Sequence, residues 1–323
     1  MEYPNFGKVI ADTNSRVLQL GIRISYRLFM KNIGLKKYCG IYGLLALLSS
    51  ANGFAQTPGH DFFMLLSDPQ MGMFEKDTSW LQESANLDFA MATANRLHPA
   101  FVLICGDLVN KGGDVGEIDA FRASTAKLDP DIPLHLVAGN HDVGNIPTTE
   151  NLKNYRARFG PDYYTFRAGN LFAIVLNSSL MGTAGNETED TTQLQWLDQQ
   201  LTQAQSRGLN AQNIVIFQHI PFFLVKADEA DIYFNVPHAA RGRYLDVLHR
   251  HGIEHVYAGH YHRNADGSDG ALSMLTTGPI GKPLGADGSG MRLVHYGKTW
   301  KSPYFELGRL PDGTTLQQWI DSW

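Results

Sequence analysis

The sequence predicts an α/β fold built around a parallel β-sheet. Short apolar runs alternate with stretches of helical periodicity from residue 61 onward, as is typical of strands joined by crossover helices. The first three runs, "FFMLLSD", "AFVLICGD" and "PLHLVAGN", are separated by the helical patterns "SANLDFAMATANRLH" and "VGEIDAFRASTAKL". This βαβαβ order predicts parallel strands with right-handed crossovers. We interpret residues 57–323 as one domain.

The second half of the chain continues this pattern and then changes it. "YYTFRAGNLFAIVLN" predicts a hairpin that turns at Gly169 and Asn170. A helix over "TTQLQWLDQQLTQAQSRG" follows, then the strand "NIVIFQH", a helix over "ARGRYLDVLHRHG" and the strand "IEHVYAGH". Beyond residue 270 the pattern is one of short strands and turns, which suggests a second, antiparallel sheet.

Residues 30–55 have the three parts of a signal peptide. A basic stretch precedes an apolar run over residues 38–48 and the small residues Gly53 and Ala55. We therefore expect a periplasmic or secreted protein, and a cytoplasmic one if this segment is instead a buried first helix. Residues 1–29 show no comparable pattern and stay unassigned, as would fit a start site placed too far upstream.

Composition and charge exclude several classes of partner. The chain of 323 residues is 43% hydrophobic and 18% charged, as in globular proteins. Its formal net charge is −5, and it becomes −10 when residues 1–55, with seven basic and two acidic side chains, are removed. An acidic protein is poorly suited to bind nucleic acid or anionic membranes. We expect neither, and no stable membrane insertion after signal cleavage.

Five predicted strands end in residues that can bind metals or transfer protons. The endings are "SDPQ", "GD", "GNHD", "QH" and "GHYH". In open parallel sheets the carboxyl ends of the strands converge where ligands bind. Asp, Asn and His supply the oxygen and nitrogen ligands that Mn, Fe, Zn and Mg take. The glycines Gly106, Gly139 and Gly259 leave room for a close approach of the backbone.

In their order these motifs resemble the calcineurin-like metallophosphoesterase superfamily, whose pattern is DxH, GDxx(D/N), GNH(D/E), a lone His and GHxH. Here they read "SDPQ", "CGDLVN", "AGNHDVGN", "FQHIP" and "AGHYHRN". The chain is similar in particular to the subgroup of calcineurin-like phosphoesterase domain-containing protein 1, through "DPQ", "QWLD", "YFN" and "GHYHRN". The resemblance implies a four-layer α/β/β/α sandwich with a dinuclear metal site at the carboxyl ends of the strands.

The resemblance also implies a ligand set for two divalent ions, with Asp107 bridging them. Gln70 stands where the superfamily has a histidine, and its neutral oxygen would favour Mn²⁺, Mg²⁺ or iron over Zn²⁺ at the first ion. The implied first-ion ligands are Asp68, Gln70, Asp107 and His262, and the second-ion ligands are Asp107, Asn140, His219 and His260.

Two further residues are implied as catalytic. Two ions lower the pKa of a shared water, so that a metal-bridging hydroxide can attack phosphorus in line. His141 would donate a proton to the leaving oxygen, and Asp142 would orient His141 or raise its pKa. No G-x-S-x-G elbow suggests a serine nucleophile instead.

Two residues outside the ligand set are candidates for binding the substrate. Tyr233 belongs to the loop "FFLVKADEADIYFNVP" and would cover the substrate, with packing against a neighbouring loop as the alternative. Arg263, directly after "GHYH", would bind a phosphate oxygen or else pair with a local acid such as Asp266.

The predicted function is therefore metal-dependent hydrolysis of a phosphate ester. Phosphomonoesters of proteins or small molecules are the favoured substrates, in the manner of Ser/Thr phosphatases. Two alternatives stay open: a phosphodiesterase on the same two-metal core, and a catalytically weak scaffold that binds metal or phosphate. Gln70 is the one feature that supports the scaffold.

Overall fold

The computed structural model describes residues 61–311 and 313–322. The predicted signal peptide and the extension before it lie outside the described residues. The described strands, in chain order, are β1 (Phe62–Leu66), β2 (Val102–Ile104), β3 (Leu134–Leu136), β4 (Tyr164–Ala168), β5 (Leu171–Val175), β6 (Ile214–Phe217), β7 (His255–Ala258), β8 (Ala265–Asp269), β9 (Leu272–Thr276), β10 (Gly290–His295) and β11 (Tyr304–Glu306).

Helices connect these strands at most of the predicted places. Side-chain caps fix two helix starts: Asp114 accepts a hydrogen bond from Glu117 N, and Thr148 accepts one from Asn151 N. Within the described ranges, no helix combines the length and the apolar character needed to cross a bilayer. The α-helices are α1 (Leu81–Leu97), α2 (Val115–Thr125), α3 (Asn140–Val143), α4 (Thr149–Phe159), α5 (Glu187–Ser206), α6 (His238–Arg250) and α7 (Gly313–Asp321).

The strands form two sheets. The first has the order β11-β10-β1-β2-β3, and β1, β2 and β3 are parallel as predicted. The second has the order β4-β5-β6-β7-β9-β8, with β5, β6, β7 and β9 parallel. The expectation of a separate antiparallel sheet after residue 270 is wrong, because β9 extends the second sheet beside β7 while β10 and β11 extend the first. A local hairpin pattern predicts antiparallel pairing but does not say which sheet receives the strands.

The core explains the layering. β1 is buried along its whole length, and because side chains alternate along a strand, its two faces pack differently. Phe62 and Met64 contact the helical layer that contains α1 and α2, whereas Phe63 and Leu65 lie between the two sheets. Each such buried side chain contributes about 1.5–3 kcal/mol. With α5 and α6 covering the second sheet, this arrangement is the predicted four-layer sandwich.

Candidate metal centre

The carboxyl ends of strands from both sheets meet at one site. Asp68 follows β1, Asp107 follows β2 and Asn140 begins α3 just after β3, while His219 follows β6 and His260 and His262 follow β7. Two groups of buried side chains place their ligand atoms within 4.8 Å of one another. Asp107 belongs to both groups, which is the position of a bridging ligand. The groups are Asp68, Asp107 and His262, and Asp107, His219 and His260.

Close backbone packing holds these strand ends together. Asp68 N donates to Gly106 O at 3.1 Å and Gln70 N donates to Asp107 O at 2.8 Å, so the loops after β1 and β2 run side by side. A Cβ atom on Gly139 would overlap Asp107 N, and one on Gly259 would overlap the hydroxyl of Ser67. Glycine is therefore required at both positions, as the sequence predicted.

Each of the three histidines turns one ring nitrogen toward the ligand cluster and the other toward a backbone carbonyl. A carbonyl only accepts, so the nitrogen that contacts it must carry a proton, and the other nitrogen is the one that a metal ion could take. Metal-binding histidines are commonly held in this way. The contacts are His219 Nδ1 to Cys105 O at 2.7 Å, His262 Nδ1 to Lys282 O at 2.6 Å and His260 Nε2 to Tyr233 O at 3.0 Å.

The electrostatics of the cluster centre on Asp107 and His219, whose Oδ2 and Nε2 atoms are 3.1 Å apart. Burial acts to lower the pKa of His219, but Asp107 and Asp68 outweigh it and raise that pKa to about 9. Burial acts to raise the pKa of Asp107, but His219 outweighs it and lowers that pKa. Burial and the neighbouring His219 lower the pKa of His260 to about 3. His260 is therefore neutral near pH 7, as a ligand must be.

Gln70 and Asn140 each have a side-chain oxygen that could bind a cation. Gln70 is buried, its Nε2 donates to Asn110 Oδ1 at 3.0 Å, and within the described part of the chain its Oε1 has no hydrogen-bond partner. Leaving a buried acceptor unpaired costs about 1–3 kcal/mol, and a cation would supply the missing partner. Asn140 donates from Nδ2 to Asn145 Oδ1 at 2.9 Å, and its Oδ1 lies 3.1 Å from His219 Nε2.

These donors fit two divalent cations that share Asp107. The fit rests on the unpartnered oxygen of Gln70, the orientation of the three imidazole rings and the burial of both carboxylates. Carboxylate, amide and imidazole groups in this mixture are ligands for Mn, Fe, Mg or Zn.

Comparison with known proteins identifies the family. A family model described as calcineurin-like phosphoesterase matches residues 63–264. The chain belongs to the calcineurin-like phosphoesterase family. It is 37% identical over 252 residues to serine/threonine-protein phosphatase CPPED1 of Rattus norvegicus and 35% identical over 253 residues to that of Homo sapiens, covering 73% of this chain and 80% of each relative. The fold matches that of a dimetal phosphatase from Danio rerio with a TM-score of 0.59 and 17% identity, over 76% of this chain and 96% of that chain.

Membership of the calcineurin-like phosphoesterase family makes the chain a metal-dependent hydrolase of phosphate esters. The family also accounts for the two overlapping groups of ligands in the structure.

His141 lies beside the phosphoesterase ligands, as expected, but Asp142 does not take the expected position. His141 Nδ1 contacts Asn110 O at 2.8 Å, and His141 N donates to Asp107 Oδ1 at 2.9 Å. Asp142 instead accepts hydrogen bonds from three backbone N–H groups, while burial and then Asp107 raise its pKa. Asp142 therefore ties the loops after β2 and β3 together. Its donors are Leu108 N at 2.9 Å, Val109 N at 3.2 Å and Gly139 N at 2.8 Å.

The two predicted substrate residues have different surroundings. Tyr233 lies at the mouth of the site, where its hydroxyl accepts from Asn140 Nδ2 at 3.2 Å and its ring is 4.9 Å from that of His260. Arg263 bonds to a backbone carbonyl and not to Asp266, the example given of a local acid as its alternative partner. Its Nε and Nη2 donate to Leu284 O at 2.9 and 2.7 Å. Arg263 therefore holds the loop around Leu284 against the site.

Sequence reasoning missed Asn110 and Ser67. Asn110 closes the motif "CGDLVN", and it contacts both Gln70 and His141. Ser67 immediately precedes Asp68, and its hydroxyl donates to the Asp68 carboxylate. The place of Asn110 at the end of a ligand motif was a usable signal, whereas a serine after an apolar run is too common to be one.

Proposed function

We propose that this phosphoesterase is a phosphomonoesterase that acts on phosphoserine and phosphothreonine in proteins. The observation that carries the proposal is a two-ion donor set with His141 beside it, held so that one ring nitrogen is available to a leaving oxygen. The CPPED1 relatives, named as serine/threonine-protein phosphatases, support the choice of substrate.

The chain's own residues can perform the proton transfer. When bound, two divalent cations supply Lewis acidity to the phosphoryl oxygens and activate water. Because Nδ1 of His141 donates to Asn110 O, an additional proton on this ring resides on Nε2. That nitrogen is the group that would protonate the departing serine or threonine oxygen. The hydrogen bond from His141 N to Asp107 Oδ1 fixes the ring's position relative to the ligands.

Exposed apolar side chains near the site favour a protein substrate over a small phosphorylated compound. Ile146, Ile232, Tyr233 and Leu284 are all more than two-fifths exposed. Their loops are bonded to ligand residues, since Asn145 and Tyr233 contact Asn140 and Leu284 N donates to His262 O at 3.2 Å. Apolar side chains grouped on a surface commonly mark a site that another chain covers.

We further propose that the first ion is Mn²⁺, Mg²⁺ or iron. Three oxygen ligands, from Asp68, Gln70 and Asp107, accompany the single imidazole of His262. A site dominated by hard oxygen ligands disfavours Zn²⁺ relative to these metals.

The test is a comparison of hydrolysis rates after reconstitution with Mn²⁺, Mg²⁺, Fe²⁺ or Zn²⁺. Phosphoserine and phosphothreonine peptides, an aryl phosphomonoester and an aryl phosphodiester are supplied in parallel, with Asp107→Asn as the inactive control. Faster turnover of the phosphopeptides supports the proposal. Preference for the diester would replace it with a phosphodiesterase. Two bound ions without hydrolysis of any substrate would favour the scaffold.

A further inference from the structure

Gln70 can serve as a metal ligand in only one of the two orientations of its amide. The oxygen Oε1 can bind a cation, whereas the NH₂ group at Nε2 cannot. The two orientations have almost the same shape, so packing alone does not distinguish them. The hydrogen-bond partner of the amide must therefore decide which end faces the site.

That partner is the side chain of Asn110, which is itself oriented by a charged pair. Asn110 Nδ2 donates to Asp77 Oδ1 at 2.5 Å, and Asp77 Oδ2 lies 2.6 Å from Lys111 Nζ. A carboxylate only accepts, so Asn110 must turn its NH₂ group toward Asp77 and its oxygen toward Gln70. Gln70 then gives its own NH₂ group to Asn110 at 3.0 Å. Oε1 is left without a hydrogen-bond partner among the described residues, and it is the atom that a cation could bind.

We propose that Lys111, Asp77 and Asn110 are positioning residues that fix the Gln70 amide with Oε1 toward the first metal site. We call these three residues the orientation relay. The inference rests on the proposed two-ion function and deepens it, because it explains how an amide replaces the superfamily's histidine. A backbone carbonyl fixes the proton of each ligand imidazole, whereas the Gln70 amide is fixed by a chain of side-chain contacts that ends at the Asp77–Lys111 pair.

The surroundings of the relay hold it in place. Asp77 N donates to Gly72 O at 2.8 Å, which closes the loop that carries Asp77. Gly72 has a φ of +105°, and a Cβ atom there would lie 2.7 Å from Glu117 Oε1. Glu117, in the first turn of α2, accepts from Lys111 N at 2.7 Å. The relay is thus anchored to the loop after β1 and to α2.

Asn110 also connects the relay to the catalytic group. Its backbone carbonyl contacts His141 Nδ1 at 2.8 Å while its side chain orients Gln70. One residue therefore positions both a first-site ligand and the proposed acid. Displacing the Asn110 side chain should weaken metal binding more than it disturbs the His141 imidazole, because the imidazole contacts the backbone carbonyl of Asn110.

The test is Asp77→Asn, which should reverse the relay. The Lys111 ammonium would take the amide oxygen at position 77, so that the NH₂ group there faces Asn110. Asn110 and then Gln70 would turn over in response, and Gln70 would present NH₂ to the site. We expect first-site Mn²⁺ affinity to fall about tenfold or more, the scale of one unmade buried hydrogen bond. Calorimetric titration of the chelator-stripped full chain with Mn²⁺ measures both sites, and unchanged second-site affinity shows that the variant is folded.

A rescue experiment distinguishes an orienting role of the relay from a merely structural one. Adding Lys111→Met to Asp77→Asn frees the amide at position 77 to turn its oxygen toward Asn110, and first-site affinity should recover. A Gln70→His background should make Asp77→Asn nearly silent, because an imidazole ligand does not depend on the relay. The matched control is Asp88→Asn, which breaks the exposed pair that Asp88 Oδ2 forms with Lys127 Nζ at 2.5 Å.

The outcomes distinguish the relay from the proposed function. First-site affinity in Asp77→Asn equal to that in Asp88→Asn would overturn the relay, as would a failure of Lys111→Met to restore it. If the unmodified chain binds no Mn²⁺ and hydrolyses nothing, the proposed function fails instead. If the unmodified chain binds two ions and hydrolyses its substrate, and Asp77→Asn leaves first-site affinity unchanged, the relay is refuted and the proposed function stands.

Discussion

Replacing Asp142 by asparagine tests whether this carboxylate serves the fold or the acid. Asp142 follows His141 directly, and the sequence suggested that it orients the imidazole. In the structure its two oxygens accept hydrogen bonds from the loop after β2 and from Gly139 instead. Asp142→Asn keeps the shape of the side chain and removes one acceptor.

The size of the effect follows from the three hydrogen bonds. The remaining amide oxygen can still accept from Leu108 N and Val109 N, which lie 2.9 and 3.2 Å from Oδ1. The NH₂ group then faces Gly139 N, which is 2.8 Å from Oδ2 in the native chain. Losing this hydrogen bond and leaving a buried N–H unpaired lowers the free energy of unfolding by about 1–3 kcal/mol.

Urea denaturation in the presence of chelator measures this loss of stability. The pH dependence of the hydrolysis rate at saturating Mn²⁺ shows whether the proton donor, His141, is affected. We expect lower stability and weaker metal binding. Asp142 holds the loop after β2, which carries Asp107, against the segment after β3, which carries Asn140, and the substitution loosens that connection. The limb of the profile that reports the acid should not move. Asp162→Asn is the matched control, since the buried Asp162 carboxylate pairs with Arg156 Nε at 2.6 Å and its loss should spare metal affinity.

The opposite result would refute this reasoning. Unchanged stability with a displaced acid limb would mean that Asp142 acts on His141 after all. Equal losses of metal affinity in Asp142→Asn and Asp162→Asn would mean that general destabilisation, rather than the separation of two loops, weakens the site.

Three further predictions concern the acid, a buried carboxyl group and export. His141→Ala should reduce the turnover of phosphopeptides by about 10²–10⁴-fold, and that of an aryl phosphate by much less, because the aryl phosphate has a better leaving group. Elemental analysis of the variant should still find both metals. Equal losses on the two substrates would rule out His141 as the proton donor. Burial raises the pKa of Glu117 to about 7, so the folded chain retains a proton that the unfolded chain releases, and stability should fall as pH rises from about 4.5 to 7. Glu117→Gln removes this dependence, so its free energy of unfolding should exceed that of the native chain by about 1–3 kcal/mol between pH 5 and pH 8. Urea denaturation in the presence of chelator measures the difference, and a difference that does not change with pH would contradict the assignment. Export predicts that N-terminal sequencing of the native protein begins near Gln56, and an intact Met1 or Met30 would contradict it.

The sequence was sufficient to predict which residues gather, because each follows a strand. Parallel order places the ends of β1, β2 and β3 at one edge of a sheet, and "GD", "GNHD" and "GHYH" close their strands without an intervening helix. The requirement for Gly139 and Gly259 could be predicted for the same reason. Backbone segments that converge on a metal site approach too closely for a side chain.

Other features depend on partners that are distant in sequence. Adjacent residues on a helix point about 100° apart, so the proximity of Asp142 to His141 in α3 gave the wrong partner. Two of the three partners of Asp142, Leu108 N and Val109 N, lie 34 and 33 positions away. The same limit applies to β9, whose neighbour β7 is chosen by tertiary packing, and to Asn110, whose role depends on Asp77.

The backbone at the site shows how the fold supports the ligands. Eight described non-glycine residues have positive φ, and five of them are candidate ligands. Each such conformation costs on the order of 1–3 kcal/mol, so together they are comparable with the net stability of about 5–15 kcal/mol typical of a folded domain. Glycine would relieve this strain but has no side chain to bind a metal, so the layers around the site must enforce these conformations. The five are Asp68 (50°), Gln70 (40°), Asp107 (47°), His260 (68°) and His262 (53°).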